Sequence, residues 1–176
     1  MDSRKQIIAR TALKLFADKG FDSTSTQLIA KDAQVSEALI FKHFTSKVQL
    51  LEYLIKSGYK RIIEQNRGRL QENDPLLFVH KIIELPFELV REEPEFWKMQ
   101  SRLVDVTLSQ QQHDRFLQPI TPLLEKAFRQ LGYPKPEQEA AMLLLLVEGI
   151  WKHQVTQAQA ADPAMVEFIK AKYAWQ

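Results

Sequence analysis

Hydrophobic residues recur at helical spacing through most of this chain. In the first segment Ile8, Ala12, Leu15 and Phe16 fall on one helical face, at offsets of four, seven and eight residues. No segment shows the two-residue alternation between turn residues that is typical of strands. The pattern therefore predicts an all-α fold. The predicted helices span residues 3–19, 26–33, 37–43, 47–72, 75–92, 95–110, 116–131, 136–158 and 163–175.

Capping residues mark several of the predicted helix ends. Asp74 and Asp162 each stand directly before a proline. Proline is favoured at the first position of a helix, and the carboxylate before it can cap that helix. Gly20 and Gly132 stand where a helix C-terminus favours a residue with positive φ.

The segment from Ile7 to Leu51 has the outline of three short helices around a small core. A tight turn at Gln34 and Val35 separates the second helix from the third, and Ser36 is a good N-cap for the third. This order is typical of a helix-turn-helix domain, whose second motif helix enters the DNA major groove. A three-helix structural bundle that binds no DNA is the alternative. Besides the first helix, the predicted core residues are Phe21, Ile29, Ala33, Val35, Leu39, Ile40 and Phe44.

The charge distribution favours a polyanion-binding head. Residues 1–60 carry ten Lys or Arg against six Asp or Glu, whereas residues 61–176 carry fourteen against sixteen. A basic N-terminal third beside a slightly acidic remainder suits a head that binds nucleic acid.

Neither catalytic nor membrane-spanning features are present in the sequence. The chain has no cysteine, no P-loop, no Gly-rich dinucleotide turn, no H-E-x-x-H and no G-x-S-x-G, and its four histidines lack metal-ligand spacing. The apolar run 140–147 is far shorter than the roughly 18 residues of a membrane span. We therefore expect a cytoplasmic protein that is not an enzyme, holds no metal or cofactor and does not cross a membrane.

Three stretches, ALKLFADKGF, TSTQLIAKDAQVS and IFKHFTSKVQLL, follow one another at consistent spacing. Through them residues 7–51, about a quarter of the chain, resemble the N-terminal domain of the TetR family of bacterial transcriptional regulators. The resemblance implies an all-helical homodimer, a palindromic operator in double-stranded DNA and a C-terminal domain that often senses a small molecule. It divides the chain into a helix-turn-helix DNA-binding domain, 1–46, and a helical regulatory and dimerisation domain, 47–176, with helix 47–72 connecting the two.

The resemblance also assigns DNA contacts to matching positions. Thr26 and Gln27 begin the second helix, where family members touch phosphate and sometimes a base. Ser36, Glu37 and Ala38 open the recognition helix and face the bases. Glu37 can accept a hydrogen bond from a cytosine amino group, and Ala38 can meet a thymine methyl group. The remaining predicted contacts are Phe41, Lys42, His43 and Lys47, with phosphate as the partner of the lysines and the histidine.

Several of these side chains can have a simpler role than a DNA contact, and three residues of the segment depart from the family pattern. Glu37 can be only a capping charge, Lys42 a solvated lysine and His43 a side chain on the domain edge. Gln34 stands in the turn where the family usually has Gly, so any positive φ there carries a steric cost. Leu39 replaces the usual Ser or Thr, and Phe41 the usual Tyr, which removes two hydroxyl groups from the DNA-facing surface. A helical protein-interaction module that has lost DNA binding is therefore the alternative function.

Two apolar C-terminal helices predict the dimer interface. The stretch AAMLLLLVEGIW is apolar almost all round, so one face can pack inward and another against a partner subunit. A twofold dimer places its two recognition helices about 34–36 Å apart, or a multiple of that distance, to match a pseudo-palindrome. The predicted interface residues are Leu143, Leu144, Val147, Trp151, Val155, Met165 and Ile169.

Aromatic and methionine side chains in the predicted regulatory domain, 47–176, indicate a pocket for an unknown effector, an apolar or amphipathic small molecule. Plain core packing is the alternative for the same side chains. Glu148 lies within the apolar helix and needs a partner if it is buried: Lys152, a residue across the dimer or a ligand. The predicted pocket residues are Phe78, Phe87, Phe96, Trp97, Met99, Met142, Glu148 and Trp151. The expected protein is a repressor that a bound ligand releases from its operator.

Overall fold

The computed structural model describes residues 3–103, 107–157 and 162–174. Regular structure in these ranges is entirely helical, which confirms the predicted fold class. A short 3-10 helix, Arg67–Gln71, follows the fourth α-helix. The α-helices are α1 (Arg4–Lys19), α2 (Thr26–Asp32), α3 (Glu37–Phe44), α4 (Lys47–Asn66), α5 (Pro75–Glu92), α6 (Pro94–Ser101), α7 (Thr107–Leu117), α8 (Ile120–Gln130), α9 (Pro136–Gln157) and α10 (Pro163–Lys172).

Three predicted helices differ from the observed ones. The predicted helix 47–72 ends as α4 at Asn66, and its last part is the 3-10 helix that contains Gly68. The predicted helices 95–110 and 116–131 correspond to three elements, α6, α7 and α8. Pro119 occupies the N-cap of α8 and has no backbone N–H to continue a helix from α7. Residues 104–106, 158 and 175 of the predictions lie outside the described ranges.

The predicted helix ends are confirmed where a capping residue was identified. The Asp74 carboxylate accepts a hydrogen bond from the Leu77 N–H at 2.8 Å, and the Asp162 carboxylate accepts one from the Ala164 N–H at 3.0 Å. Gly20 and Gly132 have φ of +87° and +80°, the left-handed region that glycine tolerates best. Local chemistry therefore sets these ends.

The chain forms two compact units whose bounds differ from the predicted 1–46 and 47–176. Unit 1 comprises Met1–Lys60 and Glu95–Gln112, and unit 2 comprises Arg61–Pro94 and His113–Gln176. The structure thus places the first part of α4 and all of α6 except Pro94 with the N-terminal helices.

Aromatic packing explains why α6 belongs to unit 1. The Tyr59 ring of α4 meets the rings of Phe96 and Trp97 edge-on, with centroids 5.3 and 6.0 Å apart, and all three side chains are buried. Gly58 permits this approach, because a Cβ there would lie 2.1 Å from Phe96 Cε2. Gly58 is therefore a point of close packing between α4 and α6.

Unit 2 is built on α5, which packs against α8, α9 and α10. Its core contains Val79, Ile83, Leu124 and Leu143, which are fully buried, together with the buried ring of Phe128. The Lys170 ammonium on α10 forms an ion pair with the Glu84 carboxylate on α5. This contact fixes the C-terminal helix on the unit that carries the predicted dimer surface.

Candidate nucleic-acid interface

The turn between α2 and α3 is built by the backbone hydrogen bonds that close α2. The Val35 N–H donates to the Ala30 carbonyl at 3.0 Å, and the Gln34 N–H donates to the Lys31 carbonyl at 3.2 Å. This pair of bonds defines a Schellman motif, which needs a left-handed residue at the position of Gln34. Gln34 adopts φ of +54°, as expected if glycine's usual place is filled by another residue.

The recognition helix α3 has one buried face and one exposed face. Ile40 and Phe44 point into the core of unit 1, and the Ser36 hydroxyl caps the helix by accepting from the Leu39 N–H at 3.3 Å. The exposed residues are Ser36, Ala38, Phe41, Lys42 and His43. All five are predicted DNA contacts, so the helix presents them together to solvent.

Thr26 and Glu37, two further predicted DNA contacts, bond to each other. Thr26 is the first residue of α2 and Glu37 the first residue of α3, and the Thr26 hydroxyl donates to the Glu37 carboxylate. Both side chains are half-buried. Gln27, next to Thr26, is exposed.

Lys47 has a different environment from the other predicted contacts. Its Nζ donates to the carbonyl oxygens of Phe21 at 2.9 Å and Thr24 at 3.1 Å, and it lies 4.2 Å from the centroid of the Phe21 ring. An ammonium has three N–H donors, so these carbonyls occupy two of them. Lys47 therefore ties the start of α4 to the loop between α1 and α2, and its contact with phosphate stays a prediction.

Two residues near this surface were missed by sequence reasoning. Thr24 is fully buried, and its hydroxyl donates to the Gly20 carbonyl at 2.7 Å, which fixes the loop before α2. The Lys5 ammonium lies 4.5 Å from the Tyr53 ring centroid and 5.5 Å from that of Phe44. The TSTQ stretch gave a signal for Thr24, whereas nothing near Lys5 in the sequence indicated its aromatic neighbours.

The predicted pocket residues are divided between the two units. Phe96, Trp97 and Met99 are buried in unit 1, so core packing, the alternative role, accounts for them. The rest lie in unit 2: Phe78, Phe87, Met142, Glu148 and Trp151. Met142 is exposed, and Phe78 lines a cleft of about 200 Å³ that contains no other predicted pocket residue.

Glu148 and Trp151 of α9 adjoin His113 of α7 within unit 2. His113 Nε2 lies 3.7 Å from a Glu148 carboxylate oxygen, and the His113 and Trp151 ring centroids are 5.9 Å apart. Burial lowers the pKa of His113, an effect that the nearby Glu148 carboxylate opposes. His113 is thus a neighbour of Glu148 that was not among the three partners considered from the sequence.

The predicted dimer residues do not all face outward. Leu143, Val147 and Ile169 are buried in unit 2 itself, Leu144, Trp151 and Val155 are half-buried, and Met165 is exposed. The large apolar side chains that α9 and α10 expose are Met142, Leu145, Leu146, Met165 and Phe168. The predicted interface residues differ from the exposed ones because a helix that is apolar all round gives no sequence signal for which side faces its own core.

Residues 8–54 match the family model described as "Bacterial regulatory proteins, tetR family". This segment is a TetR-family helix-turn-helix domain. The match covers α2, the turn and α3, together with most of α1 and the first part of α4.

Comparisons of the whole chain find further similar proteins. An uncharacterised HTH-type transcriptional regulator of Bacillus subtilis, YuxN, is 33% identical over 101 residues, covering 57% of this chain and 35% of YuxN. The chain matches about a third to under a half of the length of the first curated relatives.

Two solved structures share the fold. The TetR family regulator PfmR of Thermus thermophilus has a TM-score of 0.77 at 19% identity, covering 98% of this chain and 94% of PfmR. AibR, solved in complex with isovaleryl coenzyme A and operator DNA, has a TM-score of 0.73 at 23% identity, covering 97% of each chain.

Neither a membrane span nor a metal cluster is found in the part of the chain that the structure describes. None of its helices there combines the length and apolar character that crossing a bilayer requires. Across the same ranges, no three His, Asp or Glu side chains are grouped so that they could hold a metal ion.

Proposed function

We propose that this protein is a sequence-specific DNA-binding transcriptional regulator that binds a palindromic operator as a homodimer. The observation that carries the proposal is the exposed face of α3, where Ala38, Phe41, Lys42 and His43 are held outward by the buried Ile40 and Phe44. A capped helix that presents a cation, an apolar ring and a small residue on one side suits the major groove, where it can meet phosphates and thymine methyl groups.

Homodimerisation through α9 and α10 is the second part of the proposal. Leu145 is 71% exposed, and Phe168 and Met142 are 58% and 53% exposed. Contiguous turns of α9 that leave large aliphatic side chains in water favour burial against a second copy. A twofold axis also provides two recognition helices for the two halves of a palindrome.

A small-molecule effector that binds unit 2 and releases the operator is the third part, with repression as the regulatory outcome. The group formed by His113, Glu148 and Trp151 supports an amphipathic ligand, because it combines an indole surface with a partly buried carboxylate and imidazole. The coupling between ligand and operator should be roughly 1–3 kcal/mol, or about 5- to 150-fold in affinity.

Selection of duplex DNA from random sequence at two salt concentrations tests the first two parts. We expect an enriched palindrome whose binding weakens steeply with salt, since each phosphate contact contributes about 0.9 to the log–log slope. A folded dimer that enriches no duplex would favour the alternative, a helical protein-interaction module that has lost DNA binding.

The effector proposal is tested with the selected operator in hand. Isovaleryl coenzyme A, the ligand in the AibR complex, is a suitable first probe among short acyl and other amphipathic compounds. An effector must bind the free dimer more tightly than the DNA-bound dimer, because coupling is reciprocal. Equal affinity for the two forms would refute release by that ligand.

A further inference from the structure

The bond between Thr26 and Glu37 joins the first residues of the two helices of the helix-turn-helix motif. Ser25 and Ser36 are the N-caps of these helices, so both side chains emerge from the first turns. The partners are eleven residues apart in sequence, and both are half-buried. The role of this pair in operator binding, argued below, rests on the proposed DNA-binding function.

The Thr26 hydroxyl can donate only one hydrogen bond, and this limits the contacts that Thr26 can make to DNA. A threonine hydroxyl has a single hydrogen to donate. Because the Thr26 hydroxyl donates to Glu37, it has no second hydrogen for a phosphate oxygen, which can only accept. A phosphate contact at Thr26 is thus left to its backbone N–H, at the start of α2.

The same bond gives Glu37 a fixed direction. A glutamate side chain has three rotatable bonds, and a second anchor reduces the conformations that it samples before DNA binds. A carboxylate only accepts hydrogen bonds, so close to the bases it needs a donor. In the major groove the cytosine edge offers an amino donor with no acceptor beside it, whereas guanine offers only acceptors and adenine pairs its donor with an acceptor.

We propose that Thr26 is a positioning residue that holds Glu37 for selection of cytosine at one position of each half-site. Glu37 supplies the base contact, and Thr26 acts only through it. A G·C pair in that orientation is then preferred, because guanine and thymine leave the carboxylate opposite an acceptor or a methyl group, and adenine places an acceptor beside its donor.

Duplex selection with four proteins tests this assignment: the wild type, Glu37→Gln, Thr26→Val and Thr26→Ser. We expect the wild type to enrich cytosine at one position per half-site, with about tenfold discrimination. Glu37→Gln should lose that preference at that position alone. Thr26→Val, which keeps the shape and removes the hydroxyl, should reduce discrimination there about threefold or more, while Thr26→Ser, which keeps the donor, should retain it.

A double variant and the salt slope separate the possible outcomes. In a Glu37→Gln background, Thr26→Val should change nothing further at that base pair. If Thr26→Val instead weakens all duplexes equally and lowers the salt slope by about one, Thr26 contacts phosphate and the inference is overturned. Unchanged cytosine preference in Thr26→Val overturns it as well. Failure of the wild type to enrich any duplex would overturn the proposed function together with this inference, and thermal unfolding confirms that each variant is folded.

Discussion

At the scale of single residues, Gln34 closes α2 in a backbone conformation that most side chains avoid. Its φ of +54° costs a non-glycine residue roughly 1–2 kcal/mol. Gln34→Gly removes that cost but adds freedom to the unfolded chain, which offsets up to about 1 kcal/mol. We therefore expect a net rise of about 0.5 kcal/mol or more in the free energy of unfolding, measured by urea denaturation. Gln34→Ala, which keeps a Cβ, is the control, and equal stabilisation by both substitutions would contradict the strain argument.

Gly58 is the residue at which the packing of α4 on α6 leaves no room for a side chain. A Cβ at this position would lie 2.1, 2.5 and 2.8 Å from three atoms of the Phe96 ring. Gly58→Ala should lower the free energy of unfolding by about 1–3 kcal/mol, because the buried ring must move to accommodate a methyl group.

Gly149 provides the matched control for this substitution. It lies within α9, and a Cβ there would meet nothing within 4 Å. Gly149→Ala should raise the free energy of unfolding by up to about 1 kcal/mol through helix propensity, measured on the monomer because Gly149 lies four residues after Leu145 on the proposed dimer surface. Similar effects of the two alanines on the denaturation midpoint would show that the contact with Phe96 does not limit position 58.

At the scale of elements, the start of α4 is held by Lys47. Lys47→Met keeps the aliphatic stem and removes the two hydrogen bonds to the carbonyls of Phe21 and Thr24. We expect a loss of about 2 kcal/mol in the free energy of unfolding, because hydrogen bonds to a charged group contribute more than neutral ones. Lys42→Met, on the exposed face of α3, is the control and should leave stability unchanged while lowering the salt slope of operator binding by about one. Unaltered unfolding of Lys47→Met would show that these two hydrogen bonds do not hold the start of α4 in place.

The helix ends that were predicted well from the sequence are those with local signals. Asp74 with its proline marks the start of α5 and Gly132 marks the end of α8, since each acts through residues within a few positions. The contacts of Lys47 were not predictable, because the carbonyls of Phe21 and Thr24 lie 26 and 23 residues away. Thr26 and Glu37 were each predicted at the candidate site, but a pattern of single positions does not show that two of them bond.

The pairing of α7 with α9 makes stability depend on pH through His113. Burial is the main cause of its lowered pKa; the carboxylates of Glu148 and Asp114 oppose the shift, and Lys152 reinforces it. The unfolded imidazole, with a pKa near 6.5, binds a proton more readily than the folded one, so stability falls as the pH drops below about 6.5.

The variant His113→Gln isolates this contribution. It cannot protonate, so its denaturation midpoint should fall less than that of the wild type between pH 7.5 and pH 5.5. Parallel midpoints for the two proteins over this range would show that other groups cause any acid sensitivity.

At the scale of the whole molecule, dimerisation should determine operator affinity. Leu145 is the most exposed of the large apolar residues of α9, so a charge there changes the surface without disturbing the core of unit 2. Stable dimers commonly bury about 1,200–2,000 Å² in total, and a carboxylate in the middle of such a surface has to be desolvated without a partner. We therefore expect Leu145→Glu to sediment as a monomer at concentrations where the wild type is a dimer.

Loss of the dimer should also lower the affinity for a palindromic operator. When the two DNA-binding domains of a dimer bind one palindrome, the second contact is intramolecular. This raises the affinity for the operator by about a hundredfold or more. Leu145→Glu should lose this gain on a palindrome yet bind an isolated half-site like the wild type, because α3 is untouched. Gln130→Glu adds the same charge at an exposed position of α8, outside the proposed surface of α9 and α10, and should change neither sedimentation nor affinity. A Leu145→Glu protein that remains dimeric would place the interface elsewhere, whereas a monomer that binds the palindrome at full strength would show that operator recognition does not need two heads.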